Sequence, residues 1–262
     1  MRICWCALLL AILSGTAPAA GMRYNEHRKC PLMDSLLQRA TLKEGMVIDV
    51  GANGGCEMTT ALRYGRRVIG VECLESAYHE LRGVPHIAGH PNATLLHVCA
   101  SNNISMAELN LARDSSSLIE ANVRWERESQ KVPKTGATRE PVVLVPLDML
   151  LPTAEHVAVI KVDVQGAEYD VLRGLLRTIT RDHPVIGYEA NGEFVNRGNV
   201  HDMLKLLGYV CTRTTRTTDR NGTRTGSDQV CWHSRPTGGG STDGWGLKCR
   251  ILRLWAAGNN SH

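Results

Sequence analysis

Apolar residues fall along this chain in two alternating rhythms. Short continuous runs, Val47-Ile48-Asp49-Val50, Val68-Ile69-Gly70-Val71 and Val157 to Val162, are rich in β-branched side chains and have the length of strands buried on both faces. Pro184 to Glu189 repeats that composition, and Thr94 to Ala100 supplies one more strand. Between the runs the period becomes helical. Residues from about Gly55 to Tyr64 form a helix that Gly65 ends as a left-handed cap. A stripe at Val171, Leu172, Leu175 and Leu176 marks a second helix, and Val200, Met203, Leu204 and Leu207 mark a third that stops at Gly208. Leu32, Leu36 and Leu37 place a short helix ahead of the first strand. Strand followed by helix, repeated, predicts an α/β fold with a mostly parallel, doubly wound, Rossmann-like sheet.

Two stretches break the rhythm. From about Asn103 to Glu140 the sequence is loose, polar and longer than an ordinary connection, which predicts extra hairpin strands or a lid over a substrate. Near the end, Tyr209 to Thr212 and Gln229 to Trp232 predict a closing antiparallel hairpin. Cys211 and Cys231 lie symmetrically about Asn221-Gly222, in positions that a disulfide could join. The arginines between them, such as Arg213 and Arg220, read as a solvated loop. The length of 262 residues suits one such domain. The expected division is a signal peptide at 1–19, a lead-in helix at 20–44, the domain at 45–235, and a glycine-rich linker with a tail at 236–262.

The N-terminal segment carries Arg2, an apolar run from Ile3 to Leu13 and the small-x-small Ala17-Pro18-Ala19, which is the pattern of a cleaved signal. That run is too short for a stable membrane span. The expected location is the secretory pathway, lumenal or secreted, with an organelle as the alternative. Glycosylation sequons at Asn92, Asn103, Asn221 and Asn259 agree, as does the total of nine cysteines. Cys4 and Cys6 leave with the signal, so seven remain and at least one has no partner within a monomer. No Cys-x-x-Cys and no His/Cys cluster has zinc spacing, and no structural metal is expected. Thirty basic against 26 acidic residues give a charge of +4, or +3 without the segment that holds Arg2. So mild a balance argues against nucleic acid as a partner.

The candidate chemistry sits where strands end. Asp49, Glu72, Asp163 and Glu189 each close an apolar run, at the rim where doubly wound sheets bind ligands. A buried carboxylate needs a partner, and for Asp49 that partner is expected to be a ligand. Gly51, Asn53 and Gly55 follow it, so the backbone can turn tightly and offer N–H groups at a helix N-terminus. Glu72 lies about twenty residues beyond the loop, the distance at which such domains place a carboxylate on ribose hydroxyls. Ser101 and Asn102, after the third strand, stand where an adenine edge could be read, or form a plain turn. His97, inside that strand, reads as structural.

The order Asp49-x-Gly51-x-Asn53-x-Gly55 resembles the first motif of class I S-adenosylmethionine-dependent methyltransferases, in which the loop wraps the methionine zwitterion and ribose. With the later blocks included, the chain resembles FkbM-type methyltransferases. The resemblance rests on Val47 to Gly55, Val71-Glu72, Asp114-Ser115-Ser116-Ser117-Leu118, Val145-Pro146-Leu147-Asp148, and Ile160 to Glu168 with Val171-Leu172-Arg173-Gly174, and runs from about Gly45 to His233. It implies a class I methyltransferase fold and S-adenosylmethionine as cofactor, held by Asp49, Gly51, Ala52, Asn53, Gly55, Glu72 and Asn102. It also implies O-methylation of a hydroxyl on a sugar, a glycan or another small natural product. Three departures stand out: Gln165 where the family usually has Glu, Cys73 where Pro follows Glu72, and Asn102 where Asp is common.

Methyl transfer to oxygen needs an acceptor in line with the donor and a base for its proton. Asp163 is the first candidate for that role and Glu189 the second; Asp163 could instead contact the methionine part of the donor. The donor is made in the cytosol, so a secretory chain either acts in a lumen that imports it or is a secreted binding protein that kept the fold without the reaction. A nicotinamide oxidoreductase fits least, because the glycines are out of order for it and no Tyr-x-x-x-Lys dyad is present.

Overall fold

The computed structural model describes residues 30–111, 116–119, 139–190, 198–218 and 224–234. The signal segment, the sequons at Asn221 and Asn259, Asp114-Ser115, Cys249 and the C-terminal tail lie outside the described residues.

Helix α1 (Pro31–Arg39) leads into β1 (Met46–Val50), and α2 (Cys56–Arg63), β2 (Val68–Glu72), α3 (Glu75–Leu81) and β3 (Ala93–His97) follow. Then come β4 (Cys99–Ala100), β5 (Ser105–Asn110), β6 (Arg139–Val145) and, after a 3-10 turn at Leu147–Met149, β7 (Val157–Val162). The last part holds α4 (Glu168–Arg173), α5 (Leu176–Asp182), β8 (Val185–Glu189), α6 (Val200–Leu206), β9 (Tyr209–Thr218) and β10 (Arg224–His233).

The apolar runs become one seven-stranded sheet of order β3-β2-β1-β7-β8-β10-β9. Its first five strands are parallel, and β10 joins β8 antiparallel, followed by β9. Every residue of β1, β2 and β7 is buried, as their mostly apolar composition suits, and the charged Asp49, Glu72 and Lys161 are buried with them. Alternate side chains leave opposite faces: Ile48 and Val50 pack with Leu172, Leu175 and Ile179, while Val47 packs with Met33, Leu36 and Met58. Helices therefore cover both faces, and every parallel strand delivers its carboxyl end to one rim.

Two expectations change, at the third strand and at the helix after β7, and the extra strands expected of the polar stretch are present. The third strand divides at Val98: β3 stays in the large sheet, while β4 turns away to pair with β6. The long polar stretch supplies β5, antiparallel to β6, so a second, three-stranded sheet of order β4-β6-β5 flanks the rim. The helix after β7 is broken at Gly174, whose lack of a Cβ lets it lie against the Ser101 carbonyl. Cys211 and Cys231 are cross-strand partners joined by a disulfide. Two further disulfides, Cys30–Cys56 and Cys73–Cys99, each close a separation of 26 residues. His97 ends β3 and stacks on Tyr78 at 4.6 Å.

Candidate active site

The glycine loop is built around a buried ammonium. Asp49 and Lys161 are register partners on adjacent strands, so their side chains meet on one face of the sheet. Lys161 Nζ stands 3.1 Å from Asp49 Oδ1, 2.9 Å from the Gly51 carbonyl oxygen to which it donates, and 3.9 Å from Asp163 Oδ2. Burial lifts the Asp49 carboxyl above the usual carboxylate range, and Lys161 opposes that rise. Burial alone would lower the Lys161 ammonium, but attraction from Asp49, then Asp163 and Glu57, outweighs it and keeps the lysine protonated. The expectation that Asp49 meets a ligand is thus corrected. Its carboxylate is fully buried beneath the rim, and its partner is a lysine of this chain.

Above that pair the backbone enters the left-handed region three times, at Gly51 (φ 77), Asn53 (φ 42) and Gly55 (φ 74). At Gly51 a Cβ would run into the Asp163 carbonyl oxygen, which is why the loop can cross so close to the end of β7. The Asn53 N–H donates to Glu72 Oε2 at 2.8 Å, and the Leu74 N–H donates to Glu72 Oε1 at 2.8 Å. Glu72 is thereby fixed in one orientation, with lone pairs left for further donors.

A cavity of about 570 Å³ opens here, within the usual range for small-molecule sites. Gly51, Asn53, Glu72 and Asp163 line its polar side, and Val98, Ala100, Leu109 and Leu118 its apolar side. Ala52 and Gly55 shape the loop from behind: Ala52 is buried in the core, and a Cβ at Gly55 would meet Ile87. Asn102 does not reach the cavity, because its amide donates to Asp170 Oδ1 at 3.0 Å and is drawn toward α4. The Cys73–Cys99 disulfide forms part of the cavity wall, both of its residues lining it.

Asp163 and Glu189 are brought together by Gln165. Its amide nitrogen donates to Asp163 Oδ1 at 2.7 Å and to Glu189 Oε2 at 3.0 Å. Gln165 adopts φ 56, and its carbonyl oxygen accepts from the Ser117 hydroxyl at 2.7 Å. Glu168 secures the same turn, accepting from the N–H groups of Val164 and Gly166 at 3.0–3.1 Å. Burial first, and Asp163 second, push the Glu189 carboxyl up to about 8. Glu189 lines a second cavity, of about 320 Å³, with Tyr188, Asn199 and His201. The amide bridge thus links an acid lining one cavity to an acid lining the other.

Of the expected site residues, Gly51, Asn53, Glu72 and Asp163 share the larger cavity, and Glu189 reaches it through Gln165. Lys161 and Ser117 lie within the blocks that resemble the family, but the sequence assigned neither a role. The signal for Lys161 was a lone cation in an apolar strand, at the position matching Asp49 in its own strand.

A seven-stranded sheet of this order, with a glycine loop after its first strand and acids along one rim, is the fold of class I methyltransferases. The chain belongs to the FkbM methyltransferase domain family, whose description matches residues 49–212, more than half its length. No curated protein matches it in sequence. Among solved structures it is similar to a methyltransferase FkbM from Methylobacillus flagellatus KT, at 16% identity and TM-score 0.48, over 78% of this chain and 48% of that one. The chain therefore spans about half the length of that protein. It is also similar to the N-terminal domain of EvdMO1 with SAH bound, at 12% identity and TM-score 0.44, over 79% of this chain and 82% of that one. A third similarity is to magnesium protoporphyrin IX methyltransferase (ChlM) from Synechocystis PCC 6803 with bound SAM, at 11% identity and TM-score 0.40, over 78% of this chain and 76% of that one. Among the described residues no helix is long and apolar enough to cross a membrane.

Proposed function

We propose that this chain transfers the methyl group of S-adenosylmethionine to a hydroxyl of a sugar, glycan or small natural product. The observation that carries this reading is the amide-bridged acid pair: Asp163 lines the larger cavity and Glu189 the smaller. The residues present suit the donor. Glu72 has lone pairs for two ribose hydroxyls, the apolar wall suits a purine, and the Asp163 carboxylate suits the positive end of the methionine part. When bound, the donor supplies a methyl group already activated by its positive sulfur.

The chain's own part is to orient and deprotonate. Glu72 and the loop fix the nucleoside, while Asp163 and Gln165 mark the boundary that the methyl group must cross. Glu189 then receives the acceptor's proton as the new bond forms. In the donor-free site, burial and Asp163 raise this carboxyl group to about 8, above an ordinary carboxylate. Tyr188, Asn199 and His201 bring hydrogen-bonding groups to the smaller cavity, as a polyol acceptor requires. The three disulfides suit work in an oxidising lumen, so we place the reaction in the secretory pathway.

Calorimetric titration with S-adenosylmethionine tests the donor site. Saturable binding is expected, weakened ten- to a hundredfold in Glu72→Ala by the loss of about 1.5–3 kcal/mol of hydrogen bonding. A folded sample that binds no donor sinks the reading, and transfer of labelled methyl to a panel of hydroxylated glycans then tests the acceptor class.

A further inference from the structure

The two acids at the ends of β7 and β8 are not independent anions, and from this an inference follows that rests on the methyl-donor reading above. One amide nitrogen, 2.7 Å from Asp163 Oδ1 and 3.0 Å from Glu189 Oε2, holds both carboxyl groups within a few ångströms of each other. Gln165 is neutral, so it orders the pair without balancing its charge. The groups that face Glu189 from neighbouring elements add negative charge: Asp163 from β7, Glu168 from α4, and Asp228, its register partner on β10. Tyr188 and His201 line the same cavity. Lys161 approaches Asp163 at 3.9 Å, but its ammonium is engaged by Asp49 and the Gly51 carbonyl. Two carboxyl groups in such contact resist carrying two negative charges.

We propose that Glu189, bridged to Asp163 through Gln165, carries a proton before the donor binds, and that arrival of the donor's sulfonium cation beside Asp163 expels this proton to solvent. The change balances. One carboxylate and one carboxylic acid, with net charge −1, become two carboxylates with net charge −2 facing a single positive charge. The O–H bond that breaks leaves its electron pair on the carboxyl oxygen, and the proton passes to buffer. Nothing is oxidised or reduced. Glu189 is then a free base only when the cation is in place, and a proton taken from the acceptor hydroxyl returns the pair to its singly protonated state. The single proton that methylation of an alcohol must release thus leaves when the next donor binds.

The test is calorimetry of the purified protein in buffers of different ionisation enthalpy, with S-adenosylmethionine and S-adenosylhomocysteine as paired probes. The two share adenosine and amino-acid parts and differ in the charge on sulfur, so the difference between them isolates the cation. At pH 7 the cationic probe should release about 0.9 proton more than the neutral one, as a carboxyl group with a pKa of about 8 requires. Its affinity should also rise nearly tenfold from pH 6 to pH 7, while that of the neutral probe changes little. Glu189→Gln should bind the cationic probe yet lose both effects. Equal proton release for the two probes, or a difference that survives in Glu189→Gln, overturns the proposal. Should that variant fail to fold, the pH dependence of the wild-type protein decides alone, and parallel affinities for the two probes overturn it. Absence of all binding to folded wild-type protein would instead overturn the methyl-donor reading.

Discussion

Two acidic sites lie a few ångströms apart at the carboxyl ends of the strands, and the chain treats them in opposite ways. Beneath the loop, Asp49 is answered by a full positive charge on Lys161, so the pair is closed off and compensated. At the rim, Asp163 and Glu189 are answered by a neutral amide and left with excess negative charge. Compensated charge builds the loop, and uncompensated charge is held ready for a cation or a proton. The same residue type at the same position along a strand thus divides into scaffold and chemistry according to its partner.

The largest effect should come from unbalancing the compensated site. Lys161→Met leaves a buried carboxylate without its counter-charge and should cost about 3–5 kcal/mol in urea unfolding. Adding Asp49→Leu to that variant should restore most of the loss; a cost under about 1 kcal/mol for Lys161→Met alone would show that the pair does not anchor the loop. Next comes the cavity wall beyond β2. Replacing Cys73 and Cys99 by serine should cost about 3 kcal/mol, read from thermal unfolding, because the bridge closes 26 residues. Donor affinity should fall with it, since both residues line the cavity.

The smallest effect sharpens the other side of the comparison. The folded-state pKa of Glu189 is raised from 4.5 to about 8, so the native state binds more protons than the unfolded chain between those values. Its contribution to stability is intact below about pH 4.5 and is lost as pH rises toward 8. Glu189→Gln should therefore gain stability relative to wild type as pH rises from 5 to 8, measured by thermal melts at both values. A variant that gains none over that range would place Glu189 among the compensated acids.

How far this was legible depends on how local the cause is. Strands and helices follow from periodicity over a few residues, and the acids at strand ends follow from the strands. Glu72 and the turn at Gly51 needed only that much. The partner of Asp49 did not, because it is set by the pairing of β1 with β7, strands far apart in sequence. The same holds for Cys30–Cys56 and Cys73–Cys99, whereas Cys211–Cys231 could be seen because one hairpin places both ends. Asn102 stands where either a base edge could be read or a plain turn could form, and its amide donates to Asp170, on a helix beyond β7 that no local pattern ties to it. Gln165 was visible as a departure from the family pattern, but its bridging role depends on where β8 ends.

The sealed pair under the glycine loop also bears on inheritance. A lineage that replaced Lys161 alone, or Asp49 alone, would strand one unpaired charge in the centre of the sheet, so neither change can be tolerated first without help from elsewhere. The two positions behave as one heritable unit: descendants keep both, or pass through a rare double change to two apolar residues.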